Sequence, residues 1–159
     1  MRLMIHLALI GALCLTACGK PPEKQASPPT AARVLPADQT SFIALPHDIR
    51  DKIKDPGAAT DTFCAKFQDY HAFNGWKGTL KDLRISTLDG TADLEINLGR
   101  SIRIEAIIPK SDPLYPALSS LTYGSPMTVS GKFTHANNNA DCTYYFGPFG
   151  VHLSALKGD

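Results

Sequence analysis

The sequence has almost no surplus charge: 16 Lys and Arg stand against 15 Asp and Glu, a formal net charge of +1. Without clustered Lys and Arg there is no electrostatic basis for sequence-independent binding to phosphate backbones, so no nucleic-acid partner is expected. No apolar run reaches the about 20 residues a bilayer span requires. Neither G-x-S-x-G nor H-E-x-x-H occurs, which removes the common signatures of a serine hydrolase and a zinc peptidase. Histidine is scarce, at five residues. His47 beside Asp48, Asp69 near His71, and His135 near Asp141 are fragments of acid and base pairs with no nucleophile motif beside them. No catalytic residues, no cofactor and no enzymatic activity are expected.

What the chain does have begins at its first residues. Arg2 precedes an apolar run from Leu3 to Leu13, and Leu15-Thr16-Ala17-Cys18 follows. This run is too short to span a bilayer comfortably and reads as an export signal. The four residues resemble the lipobox of bacterial lipoproteins, and that resemblance implies cleavage before Cys18 and acylation of Cys18. An ordinary signal peptide with an incidental cysteine is the alternative. Several acyl chains bind a membrane stably where one binds only reversibly. Gly19 at the next position resembles the sorting context of outer-membrane lipoproteins, which implies a location on the inner leaflet of the outer membrane, facing the periplasm. Residues 18–39 are rich in Pro, Ala, Ser and Lys. They read as a tether that extends about 3.1 Å per residue, and a proline-rich ligand for a partner is the other reading.

Cysteine usage agrees with export. Once Cys14 leaves with the signal (residues 1–17) and Cys18 takes lipid, Cys64 and Cys142 remain, and an oxidising compartment favours a disulfide between them. The alternative is a metal site, because Cys64 and His71 share the interval of His135 and Cys142. Structural zinc ligands usually pair more closely, so no metal is expected.

Residues 40–74 read as an extension packing on the following domain. Phe42, Ile43 and Leu45 form an apolar patch ending at Pro46, Ile49 and Ile53 suggest a short helix, and Pro56-Gly57 ends it. Asp61 or Thr62 then caps a turn carrying Phe63, Cys64 and Phe67.

From Gly75 onward the period becomes two. Trp76, Gly78 and Leu80 share a parity that changes before Leu83, which places a β-bulge at Lys81 or Asp82. Ala92, Leu94, Ile96 and Leu98 alternate with Asp93, Glu95 and Asn97, and Ile102, Ile104, Ala106 and Ile108 alternate with Arg103, Glu105 and Ile107. These are a hairpin. Pairing Leu98 with Ile102 sets Glu95 against Glu105, at a cost of about 0.2–1 kcal/mol, and a shift by two residues avoids that pair, so the register stays open. Leu114, Ala117, Leu118 and Leu121 suggest a short helix stopped at Gly124. Met127, Val129 and Phe133 make a fourth strand, Asn137-Asn138-Asn139 a loop, and Cys142, Tyr144 and Phe146 a fifth strand.

The expectation is a mainly β fold: a five-stranded OB-fold-like barrel over residues 75–159, with one short helix between strands 3 and 4 and a short N-terminal helical segment. Trp76-Lys77-Gly78-Thr79, Leu114-Tyr115, Leu118, Leu121, Gly124 and Val129-Ser130-Gly131-Lys132-Phe133 resemble the periplasmic and lipoprotein OB-fold domains of the tRNA-anticodon-like group. Such domains carry ligands on the strand 2 and 3 face. That face here offers Asp93, Glu95, Asn97, Arg103 and Glu105 and no aromatic platform. Tyr145, Trp76 and Arg103 are the candidate contact residues. Two functions follow: a tethered, non-catalytic binding or accessory module for an envelope protein or small ligand, or an inhibitor of an envelope hydrolase or exclusion lipoprotein.

Overall fold

The computed structural model describes residues 34–134, 142 and 144–158. The lipobox, Cys18, most of the tether, His135 and the Asn137–Asn139 loop lie outside them. Five strands close a barrel: β1 (Ala72–Ile85), β2 (Ala92–Gly99), β3 (Ile102–Ile108), β4 (Pro126–Phe133) and β5 (Phe149–Gly158), in the order β1-β2-β3-β5-β4. The architecture is mainly β and OB-fold-like. All neighbours are antiparallel except β3 and β5, which run parallel and pair only Ile104 with Phe149 and Glu105 with Gly150. Inward residues of the hairpin, Leu94, Ile96, Ile102 and Ile104, are fully buried.

The hairpin takes the register that sets Glu95 opposite Glu105. The like-charge pair is tolerated because Arg103 Nη1 lies 2.9 Å from Glu95 Oε1 and neutralises one of its members. Leu80 and Asp82 pair with Ile96 and Glu95, so Lys81 is the inserted residue of a bulge. Gly131 marks a second point of strong coiling: a Cβ there would meet His152 O and Phe73.

Three expectations are corrected. Both α-helices, α1 (Ala37–Lys52) and α2 (Pro56–Phe67), precede the strands. Between β3 and β4 there is only a six-residue 3-10 helix, Tyr115–Ser120. Pro116 in its first turn donates no hydrogen bond, and Ser119 and Ser120 hydroxyls donate to the carbonyls of Pro116 and Ala117 three residues back, which holds the tighter winding. The fifth strand is not the Cys142, Tyr144, Phe146 run. It starts at Phe149, and Ser154 interrupts its alternation where β4 and β5 change register between Ser130 and Gly131. The helices also begin and end elsewhere than the prolines suggest. α1 runs through Pro46, since burial of Phe42, Ile43, Pro46 and Ile49 on one face outweighs the about 3 kcal/mol an internal proline costs. Pro56-Gly57 opens α2 rather than ending α1, and Asp55 Oδ1 caps it by accepting from Ala58 N at 2.7 Å.

The two helices seal the end of the barrel where β1 and β5 start. Phe42 of α1 meets Tyr70, Phe133, Trp76 and Phe149 with ring centroids 5.0–5.3 Å apart. Phe63 and Phe67 of α2 stack at 5.7 Å. Asp38 accepts the Trp76 indole N–H at 2.7 Å. Gln39, fully buried, accepts from Lys77 N and donates to Lys77 O, replacing a strand partner where the β1–β2 ladder has ended. Residues Ala37–Gln39, placed by composition in the tether, are thus helix, and two of them hold the barrel. Cys64 and Cys142 are joined by a disulfide with Cα atoms 5.0 Å apart, which fixes α2 to the connection leading into β5.

Candidate functional site

At the sealed end α1 crosses toward the β2–β3 turn and leaves a groove of about 580 Å³ beside it. Its walls are His47 and Arg50 of α1, Lys81 of β1, Asn97 of β2, Ser101 of the β2–β3 turn, Arg103 of β3, and Phe146 of the β4–β5 connection. Each is placed by a local feature. The bulge takes Lys81 out of the ladder and leaves it exposed. The β2–β3 turn is built on Arg100 and Ser101, both in the left-handed region with φ of 48° and 68°. Two non-glycine residues in that region cost about 1–2 kcal/mol each, so packing must hold the turn. α1 supplies that hold: His47 Nε2 donates to Arg100 O at 3.1 Å. The other ring nitrogen, Nδ1, accepts from Arg50 Nη2 at 3.4 Å. Both contacts together fit the neutral Nε2–H tautomer. The Arg50 guanidinium in turn lies over the Phe146 ring at 5.6 Å, and His47 meets the same ring edge-on at 5.1 Å.

Three cations therefore border the groove. Arg103 is balanced by Glu95 and also donates to Gly147 O at 3.2 Å. Arg50 has a loose partner in exposed Asp51, at 3.7 Å. Lys81 has no ion pair among the described residues, and the same holds for Arg100 in the adjoining turn. Lys81 Nζ, Asn97 Nδ2 and Ser101 Oγ are donors without a partner among the described residues, while Asn97 Oδ1 is taken by Gly99 N at 2.9 Å. The groove thus presents several donors and excess positive charge. Both nitrogens of His47 are engaged in holding the turn and Arg50.

Of the three candidate contact residues, only Arg103 lies in this groove, and His47, read from sequence only as an acid and base fragment beside Asp48, lies there with it. Trp76 is wholly buried, its indole N–H committed to Asp38, so it offers no face to a ligand. Tyr145 is half-buried against Phe63, and its hydroxyl donates to Pro56 O at 3.1 Å and contacts Thr60 Oγ1 at 2.8 Å. It fastens the β4–β5 connection to α2 rather than facing out. Tyr144 is the exposed neighbour, 73% accessible, in a cleft of about 420 Å³ with Pro56, Thr60 and Gly147 that Phe146 shares with the groove. Arg50, Lys81 and Phe146 were missed as site residues because three segments distant in sequence supply them. The spacing of His47 and Arg50 on one helix face was the available signal, obscured by starting the helix after Pro46.

The disulfide occupies both sulfurs of the alternative metal set Cys64, His71, His135 and Cys142, which leaves no thiolate to ligate. At the opposite end of the barrel, Ile85, Leu88 and Ile107 are exposed around the β1–β2 connection, Leu88 almost completely. No helix among the described residues is long and apolar enough to cross a membrane. No protein-family model, curated protein or solved structure matches the chain.

Proposed function

We propose that the protein is a non-catalytic binding module, held by acylation of Cys18 at the periplasmic face of the outer membrane and displaying an OB-fold-like barrel to an envelope ligand or protein. The observation that carries this reading is the donor-rich groove over β1, β2 and β3, bordered by the β4–β5 connection. OB-folds present ligand sites on the strand 2 and 3 face and in the strand 4–5 loop. The resemblance of Trp76–Thr79 and Val129–Phe133 to the periplasmic OB-fold group supports the same conclusion. Engagement of both His47 nitrogens argues against catalysis at the groove.

Two measurements test it. Palmitate labelling is expected to mark the wild type and to vanish in Cys18→Ser, with the chain leaving the membrane fraction. Titrating the isotope-labelled full chain with fractionated envelope extract is expected to shift amides at His47, Lys81, Asn97, Ser101 and Phe146. Turnover of an extract component that is lost in His47→Ala would refute the non-catalytic reading. The exposed Ile85, Leu88 and Ile107 favour a second reading, an inhibitor or exclusion lipoprotein that docks a protein through the β1–β2 connection. In that case Leu88→Asp abolishes activity in the cell and Lys81→Glu does not.

A further inference from the structure

We infer that the groove recognises a compact oxyanion, a phosphate monoester or carboxylate, borne on a sugar ring that lies against Tyr144. The inference rests on the binding-module reading and names its ligand class. Two guanidinium groups and an ammonium converge on one volume, and two of them are fixed in advance. Arg50 is placed by the Phe146 ring and by His47, Arg103 by Glu95 and Gly147 O. Planar guanidinium forks match the paired oxygens of carboxylate and phosphate. Positions held before the ligand arrives lower the ordering cost of binding. Lys81 Nζ, Asn97 Nδ2 and Ser101 Oγ add donors that have no partner among the described residues.

The charge pattern limits how large the anion is. Beyond the groove the same face carries Asp82 and Asp93 around one guanidinium, Arg84, at 3.2 and 2.9 Å, and then Glu105. A long polyanion such as single-stranded nucleic acid, which needs a basic track along its backbone, would run from favourable into repulsive potential. One anionic group fits and a string of them does not. The rest of the ligand has a place to go, because Phe146 is shared between the groove and the cleft of Tyr144. There a flat exposed ring stands beside the Thr60 hydroxyl and the backbone of Gly147, a surface that takes the apolar face of a sugar while leaving its hydroxyls solvated.

The test is titration of the full-length chain, followed by amide shifts, with glucose 1-phosphate, glucuronate, glucose, inorganic phosphate and a single-stranded oligothymidylate. The expected result is that glucose 1-phosphate or glucuronate binds at the groove, more tightly than inorganic phosphate by about tenfold or more, and that glucose does not bind. Whichever of the two acids binds better assigns the oxyanion. Lys81→Glu and Arg50→Ala, both at exposed positions, are expected to weaken binding at least about tenfold with unchanged thermal unfolding. Tyr144→Ala is expected to bring the sugar acid down to the affinity of inorganic phosphate. Equal binding of glucose, tightest binding of the oligonucleotide, or shifts that map away from the groove would each overturn the inference. So would absence of binding by all five probes. If the probes fail while envelope extract still shifts the groove amides, the ligand class is wrong and the module reading stands; if both fail, the module reading falls too.

Discussion

Replacing Phe42 with alanine removes the ring around which the sealed end of the barrel is packed. Phe42 is 1% exposed and touches five other aromatic rings, those of Tyr70, Phe133, Trp76, Phe149 and, at 6.1 Å, Phe67. Truncation of a buried phenylalanine costs about 3–5 kcal/mol, and the cost rises with the volume that neighbours fail to reclaim. Here the neighbours are large rings held by β1, β4, β5 and α2, so little collapse is possible, and a loss near the upper end, about 4–5 kcal/mol, is expected. α1 stays docked in the variant, because Asp38, Gln39 and His47 each bond it to a different part of the barrel. The only tryptophan, Trp76, is a direct reporter, since its indole bonds α1 and its ring lies 5.2 Å from Phe42. In urea, followed by Trp76 emission, the midpoint is expected to fall by about 2–3 M with a native baseline as blue as the wild type, given a slope of about 1.5–2 kcal/mol/M. Phe42→Leu recovers most of the loss. A deficit below about 2 kcal/mol with unchanged slope would show that α1 lies on the barrel without closing it.

Other perturbations read other parts of the structure. The disulfide spans 78 residues, so the Cys64→Ser/Cys142→Ser double variant is expected to lose about 4–5 kcal/mol in the chain-entropy description, measured by urea unfolding against the oxidised protein. A loss under about 1 kcal/mol would mean the unfolded chain is already compact around that link. Gly131→Ala forces a Cβ toward His152 O and is expected to cost about 2–3 kcal/mol by thermal unfolding, whereas Gly124→Ala, with nothing near its Cβ, costs only the strain of its positive φ. Burial, with the nearby Asp69 and Asp38 carboxylates, pushes the Tyr70 phenol above its ordinary value of 10.0. The folded state therefore holds that proton more tightly, and its contribution is complete below the unfolded value and lost as pH rises through the folded one. As pH rises from the ordinary value of 10.0 through the higher folded one, the urea midpoint should fall further in wild type than in Tyr70→Phe. Hydrogen bonds from Ser86 and Thr91 hold the Asp89 carboxyl below its ordinary range, so Asp89→Asn is expected to flatten the acid limb of the stability curve, which otherwise declines as pH falls through the folded value.

Much of the barrel was legible because its signal is local. The hairpin alternates cleanly, and the parity change at Lys81 marks a bulge that the β1–β2 ladder shows. The disulfide followed from compartment and count. What could not be read depends on contacts between distant segments. Register was decided by Arg103 reaching Glu95, a diagonal contact with no period of its own. β5 was misplaced because only Phe149 and Val151 are deeply buried before Ser154 interrupts the pattern, whereas the false strand Cys142, Tyr144, Phe146 alternates well. The start of α1 was hidden because Asp38 and Gln39 hold the barrel by hydrogen bonds, and polar residues after Pro36 look like linker. The groove was less legible still: Arg103 alone was singled out as a contact residue, since the assembly needs α1 to pass over the β2–β3 turn.

The parallel junction of β3 with β5 has a consequence for how the molecule breathes. A cylinder closed by four longer ladders and one of two paired positions has a fault line, and amide exchange should be fastest along it, at Glu105 and Gly150, with β4 and β5 swinging as one flap. Cys142, in the connection leading into β5, moors that flap to α2, which keeps each excursion short and reversible. Arg103 and Asn97 stand on one side of the fault and Phe146 on the other, with Arg103 N donating across it to Phe146 O at 3.1 Å. Whatever fills the groove would therefore span the fault and act as a clasp, slowing exchange along the whole seam.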